Sequence, residues 1–487
     1  MSASVQFNAA RRIALLDGAF TGRRVHMIGI GGCGMCGAAA VLLRSGAVVS
    51  GSDQRPFGRI SELTAAGAQV SIGHDPSQLA SQTELVVMSA AVPPDNVELV
   101  KARSLGIPVI KYAELLNLIM RQREGVAIAG THGKSTTTAM TAHLFRAGGL
   151  DPSFVVGAHS RQLGGSSGVG TGRHFIVESC EYDRSFLNLH PRMATILNIE
   201  KEHLDCYRDL DDIIEAFGRF ARNTSADGLV VANYEDPAVR LAVGTASSDM
   251  ANGRLPARVE SFGLVEGADW RARLLARDHG CYSFDVLYSE LPLLTARLSV
   301  AGRHNVGNAL AAIALAFHGG VEPKRMAEAL PLFEGVDRRM SVRSQKGGVV
   351  IIDDYAHHPT EIRVTLNALR DRFAPKRTWV VFQPHQASRT RYLLSEFAAS
   401  FGEADIVIVA DIYCSRDSEQ DRRQVCSGDL VSLMNARGKD ARYLPSFAAV
   451  TEHLSAHMSE GDLVVTMGAG DVGKVADDLA ERVGRAG

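Results

Sequence analysis

The run Val126-Ala-Ile-Ala-Gly130-Thr131-His132-Gly133-Lys134-Ser135-Thr136 places an apolar, strand-like segment ahead of a glycine-bounded turn, then a lysine and a hydroxyl. Nucleotide phosphates need that set. Glycines let backbone N–H groups close around phosphate oxygens, Lys134 adds a point charge toward the terminal phosphates, and the Ser135 hydroxyl can ligate Mg²⁺. The full phosphate-loop pattern places a glycine five residues before the Gly133-Lys134 pair; Ile128 stands there and a glycine appears at Gly130, so this is a variant loop.

Carboxylates and imidazoles gather at other expected strand ends. Phe175-Ile-Val-Glu178 ends in an acid, which in an open parallel sheet falls at the crevice where ligands bind, and makes Glu178 a Mg²⁺ ligand candidate. Glu181 and Asp183 follow, then Ile196-Leu-Asn-Ile-Glu200-Lys-Glu-His203-Leu-Asp205, with His203 an unusual partner for a hard cation. In Gly302-Arg-His-Asn305-Val-Gly-Asn308 the asparagines either cap a helix or read an adenine edge, and spacing does not separate the two. Asp353-Asp-Tyr355-Ala-His357-His358-Pro359-Thr-Glu361 and Phe382-Gln-Pro-His385-Gln-Ala-Ser-Arg389 place His and Arg at two consecutive strand ends, a pattern suited to a small anionic substrate. Paired histidines are alternatively a loop cap and a packed ring.

Two further glycine turns bracket the chain. Gly29-Ile-Gly31-Gly32-Cys-Gly34 with Asp53 nineteen positions on suits a pyrophosphate and a ribose hydroxyl, without distinguishing NAD from a UDP-sugar. Gly468-Ala-Gly470-Asp-Val-Gly473 has no acidic partner at that spacing, so tight strand-helix packing explains it as well as a ligand does. Cys33 and Cys36 have metal-knuckle spacing but no second pair; small residues beside a ligand are the simpler reading.

Elements must position these groups. Short β-branched runs alternate with helical patterns, which predicts an α/β fold with mostly parallel sheets. At 487 residues the chain is too long for one core, and three domains are expected: 1–121, 122–334 and 335–487. Strands are predicted at Val25–Ile30, Ala47–Gly51, Glu84–Ala90 and near Val109; at Val126–Ala129, Phe175–Glu178 and Ala194–Ile199; and at Val349–Asp353, Thr378–Phe382, Ile406–Ala410 and Leu463–Met467. A helix is predicted over Asn305–Phe317, and Pro359 suits a helix first turn. A formal charge of −2 gives no global field for nucleic acid or a membrane surface. No apolar run is long enough to cross a bilayer, the start carries no basic-then-apolar signal, and seven scattered cysteines fit free thiols; a cytoplasmic protein is expected.

These turns, taken in order, resemble the Mur ligase family, on its alanine-adding branch. The words that carry the resemblance are His26-Met-Ile-Gly-Ile-Gly-Gly-Cys-Gly-Met35, Gly130-Thr-His-Gly-Lys-Ser-Thr136, Asn198-Ile-Glu-Lys-Glu-His203-Leu-Asp205, Gly302-Arg-His-Asn305, Asp353 through Glu361, and Phe382-Gln-Pro-His385. The resemblance implies a first, Rossmann-like domain that holds UDP-N-acetylmuramate, with Gly29, Gly31, Gly32 and Gly34 at the pyrophosphate and Asp53 near the uridine. It implies a central phosphate-loop ATPase-like domain, in which Gly130 through Thr136 bind ATP, Ser135 and Glu178 bind a first Mg²⁺, His203 binds or positions a second, Asn305 meets the base, and Arg338 or Arg339 is the basic residue between the central and last domains. The last, Rossmann-like domain then receives L-alanine among His357, His358, His385 and Arg389, as monomer or homodimer.

Three departures stand out. Ser135 replaces a commoner threonine and keeps its hydroxyl; Gln386 stands where an arginine is frequent, removing one guanidinium; and no lysine lies between Lys201 and Lys324, so the carbamylated lysine of several sister ligases has no candidate there. The implied chemistry is ATP-driven amide formation through an acyl phosphate in peptidoglycan precursor synthesis. Lys134 and the loop amides would stabilise phosphoryl transfer, and His203, His357 or His358 would serve as base for the alanine amine. Other readings are a recycling ligase adding a preformed tripeptide to the same UDP-sugar, an NAD-dependent oxidoreductase, and a nucleotide-gated sugar sensor; the last two leave the carboxylate clusters without a catalytic job.

Overall fold

The computed structural model describes residues 20–203, 205–248, 257–415 and 417–486; the start of the chain and the Cys33 side chain lie outside them. Three sheets follow one another along the chain. The first comprises β1 (Arg24–Ile28), β2 (Val48–Asp53), β3 (Gln69–Ile72), β4 (Leu85–Met88) and β5 (Val109–Lys111), ordered β3-β2-β1-β4-β5 with every pair parallel. β1 stops at Ile28, two residues before its predicted end, because Gly29 takes φ 79° and turns the chain. Helix α1 (Cys33–Arg44) follows.

The second sheet has ten strands: β6 (Glu124–Ala129), β7 (Ser153–Ser160), β8 (Gly165–Gly168), β9 (His174–Glu178), β10 (Met193–Ile196), β11 (Leu229–Asn233), β12 (Arg258–Gly263), β13 (Trp270–Asp278), β14 (Cys281–Tyr288) and β15 (Leu291–Arg297). Their order is β15-β14-β13-β12-β11-β10-β6-β9-β7-β8. β6 is central and parallel to both neighbours, and its Val126–Ala129 run is wholly buried, as an unbroken apolar strand demands. Helix α2 (Lys134–Ala147) begins five residues past the end of β6, and α3 (His304–His318) packs against it. α3 extends the predicted helix by one residue at each end.

The third sheet holds β16 (Ser341–Ser344), β17 (Val350–Asp354), β18 (Arg377–Phe382), β19 (Ile406–Val409), β20 (Asp440–Tyr443) and β21 (Asp462–Met467), ordered β16-β17-β21-β18-β19-β20. Only the β16 pairing is antiparallel. The two His-rich segments leave β17 and β18, the strands on either side of β21, and therefore emerge at one sheet end. Helix α4 (Pro359–Phe373) carries Pro359 in its first turn, as its fixed φ favours, with His358 as N-cap; α5 (Ala387–Tyr392) follows β18.

The expected mixed, mostly parallel α/β architecture is present. Its largest departure is the antiparallel run β13-β14-β15 at one sheet edge. No helix of the described residues is long and apolar enough to cross a membrane, and Cys36, Cys180, Cys206, Cys281, Cys414 and Cys426 are free thiols.

The first sheet is tied to the second by close packing of α1 on β7 and β8. A Cβ at Gly37 would lie 2.8 Å from the Ser167 Cβ and 3.3 Å from Val155, so only glycine lets that helix approach. Arg59 donates to Ser166 Oγ at 3.0 Å, and Lys111 pairs with Asp183 at 2.5 Å across the same joint. Gly37→Leu is predicted to cost about 1–3 kcal/mol by overpacking and to make the first domain melt separately. Scanning calorimetry checks this; an unchanged profile would refute the joint's dependence on Gly37.

Candidate functional site

The loop between β6 and α2 is held in shape by Asn198, just past β10. Thr131 N donates to the Asn198 carbonyl at 3.0 Å, His132 N to Asn198 Oδ1 at 2.7 Å, and Asn198 Nδ2 donates back to the His132 carbonyl at 3.1 Å. Glu200 N donates to Thr131 Oγ1 at 2.9 Å. Gly130 and Gly133 adopt φ 148° and 82°, and a Cβ at Gly133 would lie 2.6 Å from Asn308 Oδ1 on α3. Both glycines are thus required by backbone shape and by close approach. Gly133 is the N-cap of α2, so the first amides and the positive end of that helix face the loop.

Lys134 lies along the loop, donating to the Gly130 and Thr131 carbonyls at 2.6 and 3.0 Å and pairing with Glu181 at 2.9 Å. Burial alone would lower its pKa, but the nearby Glu181 and Glu178 charges outweigh burial and hold it above the usual lysine value. Ser135 is buried at the first turn of α2. Glu178, at the end of β9, accepts from Gly157 N at 2.6 Å, and a Cβ at Gly157 would lie 2.6 Å from both its oxygens.

His203 takes φ 54° and presents Nε2 3.6 Å from Glu181. Its Nδ1 is buried without a hydrogen-bond partner. Burial, aided by the Arg389 and Lys134 charges and opposed by Glu202, lowers its pKa to about 4, so the ring is neutral and its lone pair available at pH 7. A hydroxyl, a fixed carboxylate and a neutral imidazole with an orphaned nitrogen fit a Mg²⁺-phosphate group at this strand end. The glycine cradle, which a Cβ would fill, fits the phosphates.

The last domain meets this face directly. Arg389 is buried and donates from Nε to Glu202 Oε1 at 3.0 Å, with Nη2 on the same oxygen. Its Nη1 lies 3.0 Å from His385 Nδ1, and His385 stacks on Tyr413. His357 Nδ1 lies 2.9 Å from the Tyr355 carbonyl and 3.2 Å from Glu361; burial first, then Arg389, lowers its pKa to about 4 against the pull of Glu361 and Glu202. His358 accepts from Thr360 N at 3.3 Å, the capping role left open by the sequence, and is also held below the usual histidine range by burial and by His132.

His132 lies between two carboxylates from different domains, 3.7 Å from Glu200 and 3.4 Å from Glu361. Burial opposes its protonation, but those two partners raise its pKa to about 9. Thr360 donates to Glu200 Oε2 at 2.7 Å. A cleft of about 1320 Å³ opens between the two domains, lined by His132, Gly133, Thr136, Asn305, Arg339 and Glu361 among others.

The two arginines after Asp337 divide. Arg339 faces the cleft and pairs with Glu361 at 3.0 Å. Arg338, at φ 59°, points into its own domain, donating to Asp353 Oδ2 at 3.0 Å and to the Gly470 and Gly468 carbonyls at 3.0 and 2.8 Å. That accounts for the third glycine turn: Arg338 pins it, and a Cβ at Gly470 would lie 2.3 Å from Gln383 Oε1. Asn305 Nδ2 donates to the Ala301 carbonyl at 2.6 Å, while its Oδ1 accepts from Asn308 Nδ2 at 3.0 Å.

In the first domain Asp53 accepts from Gly31 N at 2.8 Å and so braces the turn that also holds Gly29, Gly32 and Gly34. A Cβ at Gly31 would meet Phe57 at 2.5 Å, and one at Gly34 the Tyr112 hydroxyl at 2.5 Å. Sequence reasoning assigned no individual role to Asn198, Glu181, Glu200, Glu202 or Glu361, and gave Asn308 only the open choice between helix cap and adenine reader. All six lie in segments already marked as site-bearing; apart from Asn308, which bonds Asn305 on its own helix, they find partners on other elements, which is why spacing did not reveal them.

Three family descriptions cover successive parts of the chain: Mur ligase family, catalytic domain, over residues 24–124; Mur ligase middle domain over 128–316; and Mur ligase, glutamate ligase domain, over 338–470. A UDP-N-acetylmuramate–L-alanine ligase of Caldanaerobacter subterraneus subsp. tengcongensis is 41% identical over 461 residues, 94% of this chain and 97% of that protein. Its counterpart in Agathobacter rectalis is 40% identical, covering 94% and 98%. The crystal structure of a UDP-N-acetylmuramate-alanine ligase from Thermotoga maritima matches with a TM-score of 0.78 at 28% identity, over 95% of this chain and all of that one. Such similarity along nearly the whole length shows that this chain belongs to the Mur ligase family.

Proposed function

We infer that this chain joins L-alanine to the carboxylate of UDP-N-acetylmuramate, using ATP to form an acyl phosphate, in peptidoglycan precursor synthesis. The observation that carries this reading is the meeting of the phosphate loop, Glu178 and His203 with His357, His385 and Arg389 around one joint between two domains. Relatives of about 40% identity named for alanine addition favour it over tripeptide recycling.

In this reading residues 1–121 hold the UDP-sugar through Gly29, Gly31, Gly32, Gly34 and Asp53, residues 122–334 bind ATP, and residues 335–487 receive the amino acid. Gly130, Thr131, His132, Gly133, Lys134, Ser135 and Thr136 wrap the phosphates, and Asn305 and Arg339 serve the nucleotide side; Arg338, the other arginine of the pair, is turned into the last domain and holds the Gly468–Gly470 turn instead. Ser135, Glu178 and His203 would hold Mg²⁺, two ions in all; bound Mg²⁺ supplies neutralisation of phosphate charge. Lys134 and the α2 amides stabilise charge that develops as the phosphoryl group moves. Arg389 and His385 orient the amino-acid carboxylate. His357 and His358, both neutral at pH 7, can take the proton that the alanine ammonium must lose before it attacks. Closing the domain joint excludes water from a hydrolysable intermediate. An ATP and nucleotide-sugar requirement fits a cytoplasmic enzyme, monomer or homodimer.

ADP release with UDP-N-acetylmuramate is expected with L-alanine and to be much slower with glycine, L-serine or a tripeptide. Preference for the tripeptide would overturn the assignment. Lys134→Ala is expected to lower turnover by at least about a hundredfold, the scale of losing one oriented charge donor at a transition state. Full turnover in that variant would sink the phosphate-loop role.

The histidine environments predict a pH dependence of stability. His203 and His357 are held at about 4, so between pH 6.5 and 4 the unfolded chain binds protons that the folded chain refuses, and stability falls with acid. His132, raised to about 9, acts oppositely: its contribution is full below pH 6.5 and is lost as pH rises through 9. Thermal melts of the ligand-free protein should therefore peak near neutrality, and His357→Gln should flatten the acid limb. A wild-type melting point that keeps rising down to pH 4 would contradict this.

A further inference from the structure

We propose that His132, Glu200 and His358 form a binding site for a borderline divalent transition ion of the Zn²⁺ class, distinct from the Mg²⁺ ligands and able to clamp the phosphate loop to the last domain. One ligand atom from each of the three lies within 4.8 Å of the others. His132 Nε2 is 3.7 Å and His358 Nδ1 3.6 Å from Glu200 Oε2. Tetrahedral Zn²⁺ with ligands at about 2.0–2.2 Å sets neighbouring donors roughly 3.3–3.6 Å apart, so small side-chain rotations close the shell.

Three further observations support the site. His132 Nε2 is a buried nitrogen with no hydrogen-bond partner, and it faces Glu200 Oε2 only across a 3.7 Å charge pair, the gap an ion would fill. The two rings, 4.7 Å apart at 43°, converge on the carboxylate from opposite domains. Glu200 keeps a third of its surface exposed, and His132 and Glu200 both line the cleft, which leaves the fourth position open to water. Two imidazoles and one carboxylate with an open position is a donor set that Zn²⁺ accepts and Mg²⁺ does not prefer. Glu361 adds a second carboxylate 3.4 Å from His132 Nδ1 and is offset by Arg339, so once His132 gives up its proton Glu200 is left to balance the ion.

Binding requires neutral rings, so the entering ion displaces the proton on His132 and one proton is released. His358 then gives its lone pair to the metal and no longer caps α4 or accepts a proton, and the loop is fixed to α4 across the cleft. The ion is therefore an inhibitor of any turnover that needs the two domains to part. This goes beyond the ligase reading and does not depend on it, because metal binding is measured without substrates.

Co²⁺, as a spectroscopic substitute for Zn²⁺, is titrated into the metal-free full chain in excess Mg²⁺. The expected result is one equivalent bound with visible ligand-field bands and no thiolate charge-transfer band, displaced by Zn²⁺. Glu200→Gln, which is isosteric, and His358→Gln should each weaken binding by about a hundredfold or more, since outer-shell losses alone cost 10–100-fold. His457→Gln, which breaks the stacked His453–His457 pair 4.3 Å apart on another helix, should bind like wild type. Circular dichroism establishes that the variants fold, and should His358→Gln fail to fold, the isosteric Glu200→Gln tests the site by itself. A thiolate band, unchanged affinity in Glu200→Gln, or loss in His457→Gln would each overturn the site.

Discussion

An arginine cannot shed its charge on burial, so a buried guanidinium must find a carboxylate or the fold does not close. Arg389 finds Glu202, and the two belong to different domains. Each is only 7% exposed, so the pair is desolvated on both sides; removing one partner from such a pair costs on the order of 3–5 kcal/mol. The contact fixes where the end of the third sheet sits against the end of the second. Glu202 immediately precedes His203, and Arg389 touches His385, so the same pair sets the separation between the candidate metal face and the candidate amino-acid face.

Around that pair the joint sorts its charges by the balance of carboxylates and cations at each ring. His132, between Glu200 and Glu361, keeps a proton, whereas His203 and His357, surrounded by Arg389, Lys134 and apolar surface as well as acids, lose theirs. One site thus carries one cationic imidazole beside the phosphate loop and neutral ones where a proton must be accepted or a metal held. Burial is the largest effect on every one of these rings; His132 overcomes it through two carboxylates, whereas Arg389 beside His203 and His357 cancels the carboxylates they meet.

The strands that could be read from sequence, such as β6, β9, β17, β18 and β21, are parallel and continuous apolar runs, although β11, equally apolar, was not anticipated. The run β13-β14-β15 was not legible, since these strands expose Arg273, Arg277 and Leu275 at a sheet edge and have no unbroken apolar stretch. The phosphate loop and the strand-end acids could be read from one segment each. The cross-domain partners could not: nothing near Arg389 in sequence points to Glu202, 187 residues earlier, and nothing near His132 points to Glu361. Arg338 and Arg339 look equivalent in sequence and both lie over the Tyr355 ring; their different carboxylate partners, Asp353 and Glu361, divide them.

Gln386 shows how local geometry and chemistry trade at this joint. It stands at φ 69°, its N–H donates to the Tyr413 carbonyl at 3.0 Å, and its carbonyl accepts from Thr390, so the residue is buried and fixed as the entry to α5. The next two residues are held as firmly, with Asp417 accepting from the Ala387 and Ser388 amides and the Ser388 hydroxyl. With Gln386 neutral, Arg389 is the one arginine of α5 and its entry turn that Glu202 must balance in the buried joint. The polar residue that breaks the family's frequent pattern is thereby compatible with a single, fully paired cation at the centre of the domain contact.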